Sequence, residues 1–480
     1  MPYCDESRPS PADVESFRSR WRPIALLVAG ALFMENLDGT VIATAMPRMA
    51  DAFGVAPPDL SIGISAYLLT LAVFIPISGW AADRFGARSV FASAIIVFTL
   101  SSVLCGMSAG LWAFTGMRVL QGMGGAMMVP VGRLIVLRNT GKSDLISAIA
   151  YITWPALAAP VLGPPLGGFI TTYASWRWIF FLNAPLGALA FALALVLVPN
   201  SRSGSRRSLD FIGFIASGGA CLALMYSLEL TAGASAPWIE VAATSLAGLA
   251  MGVFAVRHFG RVADPLVEAS SLTVSSFSVV LAASSLFRMA ISATPFLLPL
   301  MFQVGFGMNA FQSGLLVLAV FAGNLLMKPA TTPVLRRYEF RSTLIVNGLI
   351  TTALMAGCVF IYPTMPKWIV VALLFMSGLS RSMQFTCFNT LAFADIPQDQ
   401  ISGANTVSSI GQQLSMGMGV ALGAIAIKIG DRLAGVFHIL AVPAVSYRLA
   451  FGVTALVALA AVVESLRLDP AAGRHLRIRR

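Results

Sequence analysis

The chain has 480 residues, of which 57% are hydrophobic and only 11% are charged. Soluble domains are about 45–50% apolar and about 25% charged, so this composition excludes a soluble globular protein and indicates an integral membrane protein. The net charge of +11 falls mostly in short loops and tails, which is typical of positive cytoplasmic loops and does not indicate nucleic-acid binding. The sequence lacks alternating segments of about ten residues, which argues against a β-barrel.

Long apolar runs predict an all-α integral membrane protein. A helix needs about 20 residues to cross the hydrocarbon core, and we predict fourteen such spans. The first run, of about 23 residues, is too long for a signal peptide. The spans are expected near 24–46, 60–78, 89–108, 112–136, 145–170, 178–198, 210–231, 239–256, 274–303, 310–334, 342–362, 368–392, 401–427 and 446–466.

The distribution of basic residues predicts the orientation. With the N-terminus inside, the cytoplasmic segments hold 21 of the 32 Lys and Arg residues, and the outer segments hold 6. Short loops rich in Lys and Arg stay on the cytoplasmic side of the membrane. We therefore predict a multi-pass protein of the cytoplasmic (inner) membrane, with both termini cytoplasmic.

A weak internal repeat predicts the domain organisation. The segment Ile75–Arg88 matches Lys328–Arg341 at a constant offset of 253 residues. Such repeats are expected of many transporters, so we predict two pseudo-symmetric six-helix bundles around a central cavity, with two additional spans between them. The predicted domains are an N-terminal cytoplasmic tail (1–22), the first bundle (23–200), a basic linker with two spans (201–270), the second bundle (271–467) and a basic tail (468–480).

Five charged side chains lie well inside the predicted spans, namely Glu35, Asp38, Arg118, Arg288 and Arg381. Each costs roughly 2.5–3.5 kcal/mol to insert, so such residues normally face a bundle interior or a water-filled cavity. Glu35 and Asp38 are one helical turn apart on one face. Asp38 and Arg118 lie at similar depths, roughly 9–12 Å from the outer end, so we expect them to meet. We predict that these residues act in proton coupling and substrate binding. Asp38 or Glu35 would exchange protons and substrate, and movement of Arg118 or Arg288 would switch the proton affinity of the carboxylate.

Span 9, which contains Arg288, is related to span 1 by the internal repeat. Arg288 lies near the repeat position of Glu35, so we expect the two to face each other across the pseudo-twofold axis. A static buried ion pair that only orders the bundle is the alternative interpretation. The three histidines fall in predicted loops or the tail, and we predict no metal site and no catalytic residue.

The loop after span 2 reads Gly79-Trp-Ala-Ala-Asp83-Arg84-Phe-Gly86-Ala-Arg88. Physically it is a tight cytoplasmic turn, in which Gly86 frees the backbone and Asp83 is suited to cap a helix. The loop resembles the signature loop of the major facilitator superfamily, although that family usually has a basic residue at the position of Ala87. The resemblance implies that Asp83 meets the start of span 13 near Ser402 and helps to gate one access state.

Three further motifs follow in the order of that superfamily. They are Leu37-Asp38-Gly-Thr40 in span 1, Arg118-Val-Leu-Gln121-Gly122-Met-Gly124-Gly125 in span 4, and Pro160-Val-Leu-Gly163-Pro164-Pro165-Leu-Gly167-Gly168 in span 5. The span 5 motif resembles the one characteristic of antiporters. The span 1 motif, with Trp176 to Pro185 at span 6, is similar to the fourteen-span drug:proton antiporters, which usually have Asn at the position of Ala43. Close helix packing is the alternative explanation of the span 5 glycines.

The resemblance covers essentially the whole chain and implies a transporter rather than an enzyme. It implies alternating access driven by the proton gradient, with export of amphipathic organic compounds. The carboxylates of Glu35 and Asp38, one helical turn apart, favour cationic compounds as substrates. We expect no cofactor, because the Gly141-Lys142-Ser143 turn lacks the first glycine of a phosphate-binding loop, so ATP-driven transport is not supported.

A carrier of narrow specificity on the same scaffold is the alternative function. It would export one metabolite or siderophore-like molecule, or move a solute with protons. Unrelated cationic dyes should inhibit a broad exporter and should not inhibit a narrow carrier. The expected partners are small organic substrates, protons and the lipid bilayer. We expect a monomer, and nothing in the sequence supports a periplasmic adaptor.

Overall fold

The computed structural model describes residues 11–140, 145–199, 208–231, 237–262, 265–267, 269–397, 400–436 and 444–474. Within these ranges the chain forms helices and no strand, which confirms the predicted all-α membrane fold. Some sequence predictions concern residues outside these ranges. They are the Gly141-Lys142-Ser143 turn, the basic linker at 201–207, and the parts of the two predicted tails at 1–10 and 475–480.

The first half of the bundle and the two additional spans contain ten helices. They are α1 (Pro11–Phe53), α2 (Ser61–Phe74), α3 (Ile77–Phe85), α4 (Ala87–Met107), α5 (Leu111–Arg138), α6 (Leu145–Tyr173), α7 (Trp178–Phe181), α8 (Asn183–Leu197), α9 (Phe211–Thr231) and α10 (Trp238–Phe259). α1 starts at Pro11, so the first helix extends back into the predicted N-terminal tail. Pro76 separates α2 from α3 within one span, because proline cannot donate a backbone hydrogen bond.

The second half contains seven helices. They are α11 (Ser275–Ser292), α12 (Thr294–Leu300), α13 (Ala310–Arg337), α14 (Phe340–Gly357), α15 (Lys367–Leu391), α16 (Ile401–Val436) and α17 (Val445–Ser465). α11 and α12 form one bent segment that continues into a π-helical turn at Met301–Gly305. Pro295 and Pro299 lie in this bent part, where each removes a backbone hydrogen-bond donor.

The described helices account for the fourteen predicted crossings. Thirteen segments are long and apolar enough to cross a membrane. α6, with 29 residues, completes the set. The ring of Phe114, near the start of α5, lies 5.9 Å from that of Phe53 at the end of α1. Trp176, just after α6, lies 5.4 Å from Phe53. α6 therefore returns to the end of the bundle at which α5 begins.

The two halves repeat a close helix contact. A Cβ atom on Gly122 of α5 would lie 2.8 Å from the carbonyl oxygen of Tyr67 on α2. Gly378 of α15 makes the matching approach to the carbonyl oxygen of Val320 on α13. The carbonyls are 253 residues apart (320 − 67), which is the offset of the sequence repeat, and the glycines are 256 residues apart (378 − 122), which is within one helical turn of it. Small residues allow helices to approach this closely in membranes.

Contacts between the halves lie at the end of the bundle where α1 terminates, called the far end below. Gln303 Nε2, just after α12, donates to the carbonyl oxygen of Thr44 on α1 at 3.0 Å. Lys428 Nζ of α16 lies 2.7 Å from Asp59 Oδ1, just before α2. These contacts join the two halves, so the structure is closed at the far end. The opposite end is called the near end.

The α9–α10 hairpin packs outside the two halves. α9 contacts α2 of the first half and α16 of the second half. Met225 of α9 lies in a small buried apolar cluster with Leu69 and Ala421. The hairpin therefore covers the seam at which α2 and α16 meet.

A side-chain hydrogen bond joins the hairpin at the near end. His258 Nε2 lies 2.8 Å from Asp210 Oδ1. His258 belongs to the last turn of α10, so its predicted loop position is wrong. Burial opposes ionisation of Asp210, but hydrogen bonds from Gly213, His258 and Leu266 outweigh it and hold the pKa of Asp210 below its usual value.

Candidate functional site

A cavity of about 290 Å³ lies between the two halves. α1, α2 and α5 contribute to one wall, and α11, α13, α15 and α16 contribute to the opposite wall. Most of the lining is apolar or aromatic, and its charged side chains are Glu35, Arg118, Arg288 and Arg381. Four of the five charged residues singled out in the sequence therefore reach one cavity. The fifth, Asp38, is not among the lining residues.

Asp38 lies behind the cavity wall and is held by three neighbouring side chains. Arg118 Nη1 donates to Asp38 Oδ2 at 2.6 Å. Gln121 Nε2 and Asn183 Nδ2 donate to Asp38 Oδ1 at 3.0 and 3.1 Å. The Asp38 and Arg118 side chains are each 1% exposed. Removing one partner of such a buried pair costs about 3–5 kcal/mol, so the expected meeting of Asp38 and Arg118 forms a tightly held network.

Arg118 connects the buried carboxylate to the cavity. Its Cζ atom lies 4.2 Å from the centre of the Tyr67 ring, which also lines the cavity. Its Nη1 atom also donates to Gln121 Oε1 at 2.6 Å. Its Nε atom makes no hydrogen bond to a described residue. A charge that enters the cavity next to Arg118 therefore acts, through Arg118, on the Asp38 pair.

Glu35 faces the cavity one helical turn before Asp38. Glu35 and the Tyr67 hydroxyl are buried neighbours that interact with each other, and neither Glu35 Oε2 nor that hydroxyl makes a hydrogen bond to any other described residue. A Cβ atom on Gly125 would lie 3.2 Å from that hydroxyl and 3.5 Å from the Glu35 carboxyl carbon, so both groups flank one point of α5. The two acidic residues thus differ in surroundings, because Asp38 is already paired. Arg288 lines the wall opposite Glu35.

The opposite wall presents two buried arginines. Arg288 Nη2 donates to Asn389 Oδ1 at 2.7 Å, and its guanidinium lies 4.7 Å from the centre of the Phe385 ring. Arg381 Nη2 donates to the carbonyl oxygen of Ile291 at 2.5 Å. Within the described part of the chain, neither arginine forms an ion pair. Their positive charge is therefore not neutralised by a neighbouring carboxylate, as that of Arg118 is.

The signature loop lies at the near end. Gly86 joins α3 to α4 with φ +92°, a conformation that side-chain-bearing residues rarely adopt. Arg138 Nη2 donates to Asp83 Oδ1 at 2.8 Å, and both side chains are about one third exposed. Asp83 thus contacts α5 of its own half, whereas the side chain of Ser402, its expected partner, lies outside the described part. The other predicted residues of this loop are exposed or half-buried: Gly79, Arg84 and Arg88.

The span 5 motif lies within α6 and packs against both halves. Gly163 and Gly167 approach α1, and a Cβ atom on Gly167 would lie 2.6 Å from the carbonyl oxygen of Val41. A Cβ atom on Gly168 would lie 2.5 Å from the carbonyl oxygen of Ala310 on α13. These glycines therefore have a packing role at the joint between the halves, and a gating role stays a prediction. The motif prolines lie at the same joint: Pro160, which lines the cavity, and Pro164, whose carbonyl oxygen contacts Gly314.

Three polar residues complete the site without having been predicted as site residues. Gln121 and Asn183 belong to motifs noted in the sequence, and Gln121 follows Arg118 by one helical turn, which could have indicated its role. Tyr67 is a lone phenol in an apolar run, and the sequence gives no comparable signal for it. Ala43 lines the cavity, so this wall is more apolar than one with the usual asparagine.

Comparisons with known sequences place the chain in a family. The model of the Major Facilitator Superfamily matches residues 28–420. A protein of Serratia proteamaculans named "Putative multidrug resistance protein MdtD" is 36% identical over 406 residues, which cover 84% of each chain. A Klebsiella pneumoniae protein of the same name is 36% identical over 408 residues, covering 84% of this chain and 85% of that protein.

Comparisons with solved structures agree. The fold resembles a D-xylose-proton symporter with a TM-score of 0.66 at 15% identity, over 92% of this chain and 97% of that one. It resembles the nucleoside transporter NupG with a TM-score of 0.65 at 12% identity, over 93% and 99%. At such identities the likeness shows the fold alone. With the family match over most of its length, the chain belongs to the Major Facilitator Superfamily and is a multi-pass membrane transporter, not an enzyme.

Proposed function

We propose that the protein exports amphipathic organic compounds in exchange for protons, as a multidrug efflux antiporter of the cytoplasmic membrane. The observation that carries this proposal is the Asp38–Arg118 pair, buried one layer behind a cavity that also contains Glu35. The basic near-end loops favour cytoplasmic termini, so the far end faces outwards. The energy source is the proton gradient.

The geometry supports competition between proton and substrate. Protonation of Asp38 removes the charge that holds Arg118, and the freed guanidinium then adds positive charge to the cavity. A cationic substrate near Glu35 is repelled by that charge. When Asp38 is ionised, Arg118 is neutralised and the substrate is accepted. Because each ligand disfavours the other, one site can carry them in opposite directions.

The cavity lining supports a broad choice of substrates. Apolar and aromatic groups from both walls line it, including Phe296, Phe321 and Phe385, and Met416 adds a flexible thioether. Such surfaces bind by shape and burial, and methionine adapts to different partners. The names of the relatives in Serratia proteamaculans and Klebsiella pneumoniae point to the same class of function.

The contacts at the far end support alternating access. Gly168 of α6 and Ala310 of α13 approach closely there, and the Lys428–Asp59 ion pair is about one third exposed. A partly exposed ion pair is worth about 0–1 kcal/mol, so it can break without a large cost. In this proposal the structure corresponds to a state closed to the outside, which opens when α6 and α13 separate.

Dye transport by purified protein in liposomes tests the proposal. Rhodamine 123, a lipophilic cation, should accumulate in vesicles that carry an imposed pH gradient and should equilibrate passively without one. Arg118→Ala should abolish gradient-driven accumulation, and Arg118→Lys, which keeps the charge but not the planar fork, should retain part of it. Accumulation that is independent of the gradient would refute antiport. Failure of unrelated cationic dyes to compete would favour the carrier of narrow specificity.

A further inference from the structure

The cavity wall formed by α11 and α15 carries positive charge that the proposed proton coupling does not use. Arg288 and Arg381 both line the cavity, and each residue is only 6% exposed. Within the described part of the chain, no carboxylate pairs with either of them. A buried charge without a counter-charge is costly, so a bound group that supplies the counter-charge would be stabilised strongly here.

The two arginines lie on helices that contact each other through these side chains. Arg381 on α15 donates to the carbonyl of Ile291, which lies one turn after Arg288 on α11. The ring of Phe385, one turn after Arg381 on α15, lies against the Arg288 guanidinium. Each arginine thus contacts the helix of the other. The Nε atom of each is buried and makes no hydrogen bond to a described residue, so each retains an unused donor.

We infer that the cavity binds amphipathic compounds that carry an anionic group, such as a carboxylate, and that Arg288 and Arg381 hold this group. A guanidinium presents planar, charged donors that match the two oxygens of a carboxylate. Phe296 and Phe321 supply apolar surface beside this wall, and Glu35 lies across the cavity. A compound with a carboxylate at one end and a cationic or neutral aromatic body at the other satisfies both walls. The inference rests on the proposed function for the direction of transport, but not for binding.

Two dyes that differ only at a carboxylate test the inference. Rhodamine 110 has a free carboxylate, and rhodamine 123 is its methyl ester, while both share the cationic ring system. Fluorescence polarisation with purified protein measures the affinity for each dye. Wild type should bind the free acid at least about tenfold more tightly than the ester, because a charge-assisted pair of hydrogen bonds is lost in the ester. Equal affinities, or no measurable binding of the free acid, would overturn the inference.

Variants assign the preference to the two arginines. Arg381→Gln and Arg288→Gln should each weaken binding of rhodamine 110 several-fold while leaving the affinity for rhodamine 123 within about twofold. Unchanged ester binding also shows that the variant is folded. If a glutamine variant does not fold, Arg381→Lys and Arg288→Lys serve instead and should reduce the preference in part. Parallel losses for both dyes would mean that the arginines are only structural.

Arg448→Gln is the matched control. Arg448 is another buried arginine of the second half, which bonds to the carbonyl of Val359 and the hydroxyl of Tyr362 and does not line the cavity. Its loss should leave the ratio of the two affinities unchanged.

The binding and transport experiments distinguish a failure of the anionic subsite from a failure of the proposed antiport. If the free acid binds preferentially but a pH gradient drives neither dye, the proposed antiport is wrong and the anionic subsite stands. If a gradient drives the ester and the free acid has no preference in binding, antiport stands and the subsite is wrong.

Discussion

The two halves of the bundle share a similar close helix–helix contact but differ in how their buried charges are arranged. In the first half, Asp38 and Arg118 neutralise each other behind the cavity wall. In the second half, Arg288 and Arg381 reach the same cavity without a carboxylate partner among the described residues. The first half therefore holds a neutralised charge pair, and the described part of the second half holds positive charge that no carboxylate neutralises.

The two halves also differ at the crossing of α5 with α4 and the matching crossing of α15 with α14, where one half has close backbone packing and the other has polar side chains. In the first half, Gly124 of α5 approaches α4 so closely that a Cβ atom would lie 2.7 Å from the backbone nitrogen of Phe98. At the matching place, Ser380 of α15 bonds to Thr351 and Asn347 of α14, at 2.5 and 3.2 Å. This second network is neutral. It stabilises a helix contact, and changes of pH in the physiological range do not alter it, because hydroxyl and amide groups do not titrate there.

The largest expected effect on transport is that of Asp38→Asn in the charged network, compared with Asn347→Ala in the neutral network. Asp38→Asn keeps the size of the side chain but leaves Arg118 buried without its counter-charge, which costs about 3–5 kcal/mol. Gradient-driven efflux of rhodamine 123 should be lost. Asn347→Ala should cost about 1–3 kcal/mol of unfolding free energy and keep the dependence on the gradient. Efflux from liposomes and thermal unfolding measure both, and loss of coupling in both variants would remove the distinction between the halves.

The second effect concerns the contact that the halves share. Gly122→Ala and Gly378→Ala each place a Cβ atom against a carbonyl oxygen of the neighbouring helix, and overpacking of this kind typically costs about 1–3 kcal/mol. We expect a loss of thermal stability in both variants, and a larger one for Gly378→Ala, because its Cβ atom would lie closer to the neighbouring carbonyl oxygen than that of Gly122→Ala. Gly116→Ala is the matched control, because a Cβ atom there meets nothing within 4 Å. A loss in only one half would show that the repeated contact does not matter equally in both.

A smaller effect concerns Glu35 on the first-half wall. Glu35→Gln removes the only carboxylate among the described residues that line the cavity, while keeping the size of the side chain. Transport of cationic rhodamine 123 should fall several-fold, or about 1 kcal/mol in transition-state terms, and transport of the neutral dye Nile red should change little. Glu464→Gln, outside the cavity, is the control. Equal losses for the cationic and the neutral dye would make Glu35 structural.

The smallest effect concerns the signature loop. Asp83→Asn breaks the Asp83–Arg138 pair, which is about one third exposed and therefore worth about 0–1 kcal/mol. Thermal stability should hardly change, and the balance between inward-open and outward-open states should shift. Labelling of single-cysteine probes at the near and far ends measures that balance. Arg138→Gln should shift labelling in the same direction, and unchanged labelling in both variants would exclude this pair from gating.

Apolar runs were enough to predict the number of membrane helices, whereas the orientation predicted from the basic loops stays a prediction. Long runs define crossings because the hydrocarbon core imposes a fixed length. The meeting of Asp38 and Arg118 followed from their depths along two helices, since depth is set by the rise per residue. The repeat at an offset of 253 residues likewise matched a repeated helix contact, because Gly122 approaches the carbonyl of Tyr67 and Gly378 approaches that of Val320, 253 residues after Tyr67.

Rotation about each helix axis was not predictable in the same way. Sequence spacing places Glu35 and Asp38 on one face, yet Glu35 lines the cavity while Asp38 is enclosed by Arg118, Gln121 and Asn183. Which of two residues one turn apart meets the cavity depends on tilt and packing of neighbouring helices. The stacking of Tyr67 on Arg118 has the same origin, because a contact between α2 and α5 leaves no periodic signal in either run.

The α9–α10 hairpin limits the routes by which a lipid-dissolved compound can reach the transporter. The seam between α2 and α16 is closed from within by the hydrogen bond of Ser65 to the carbonyl of Gly417, and Met225 of α9 packs against it from outside. A hydrophobic molecule diffusing sideways in the bilayer meets α9 before it meets this seam. The two spans beyond the twelve of the paired bundles thus cover one flank of the transporter, and a compound that enters sideways from the membrane would have to pass through another flank.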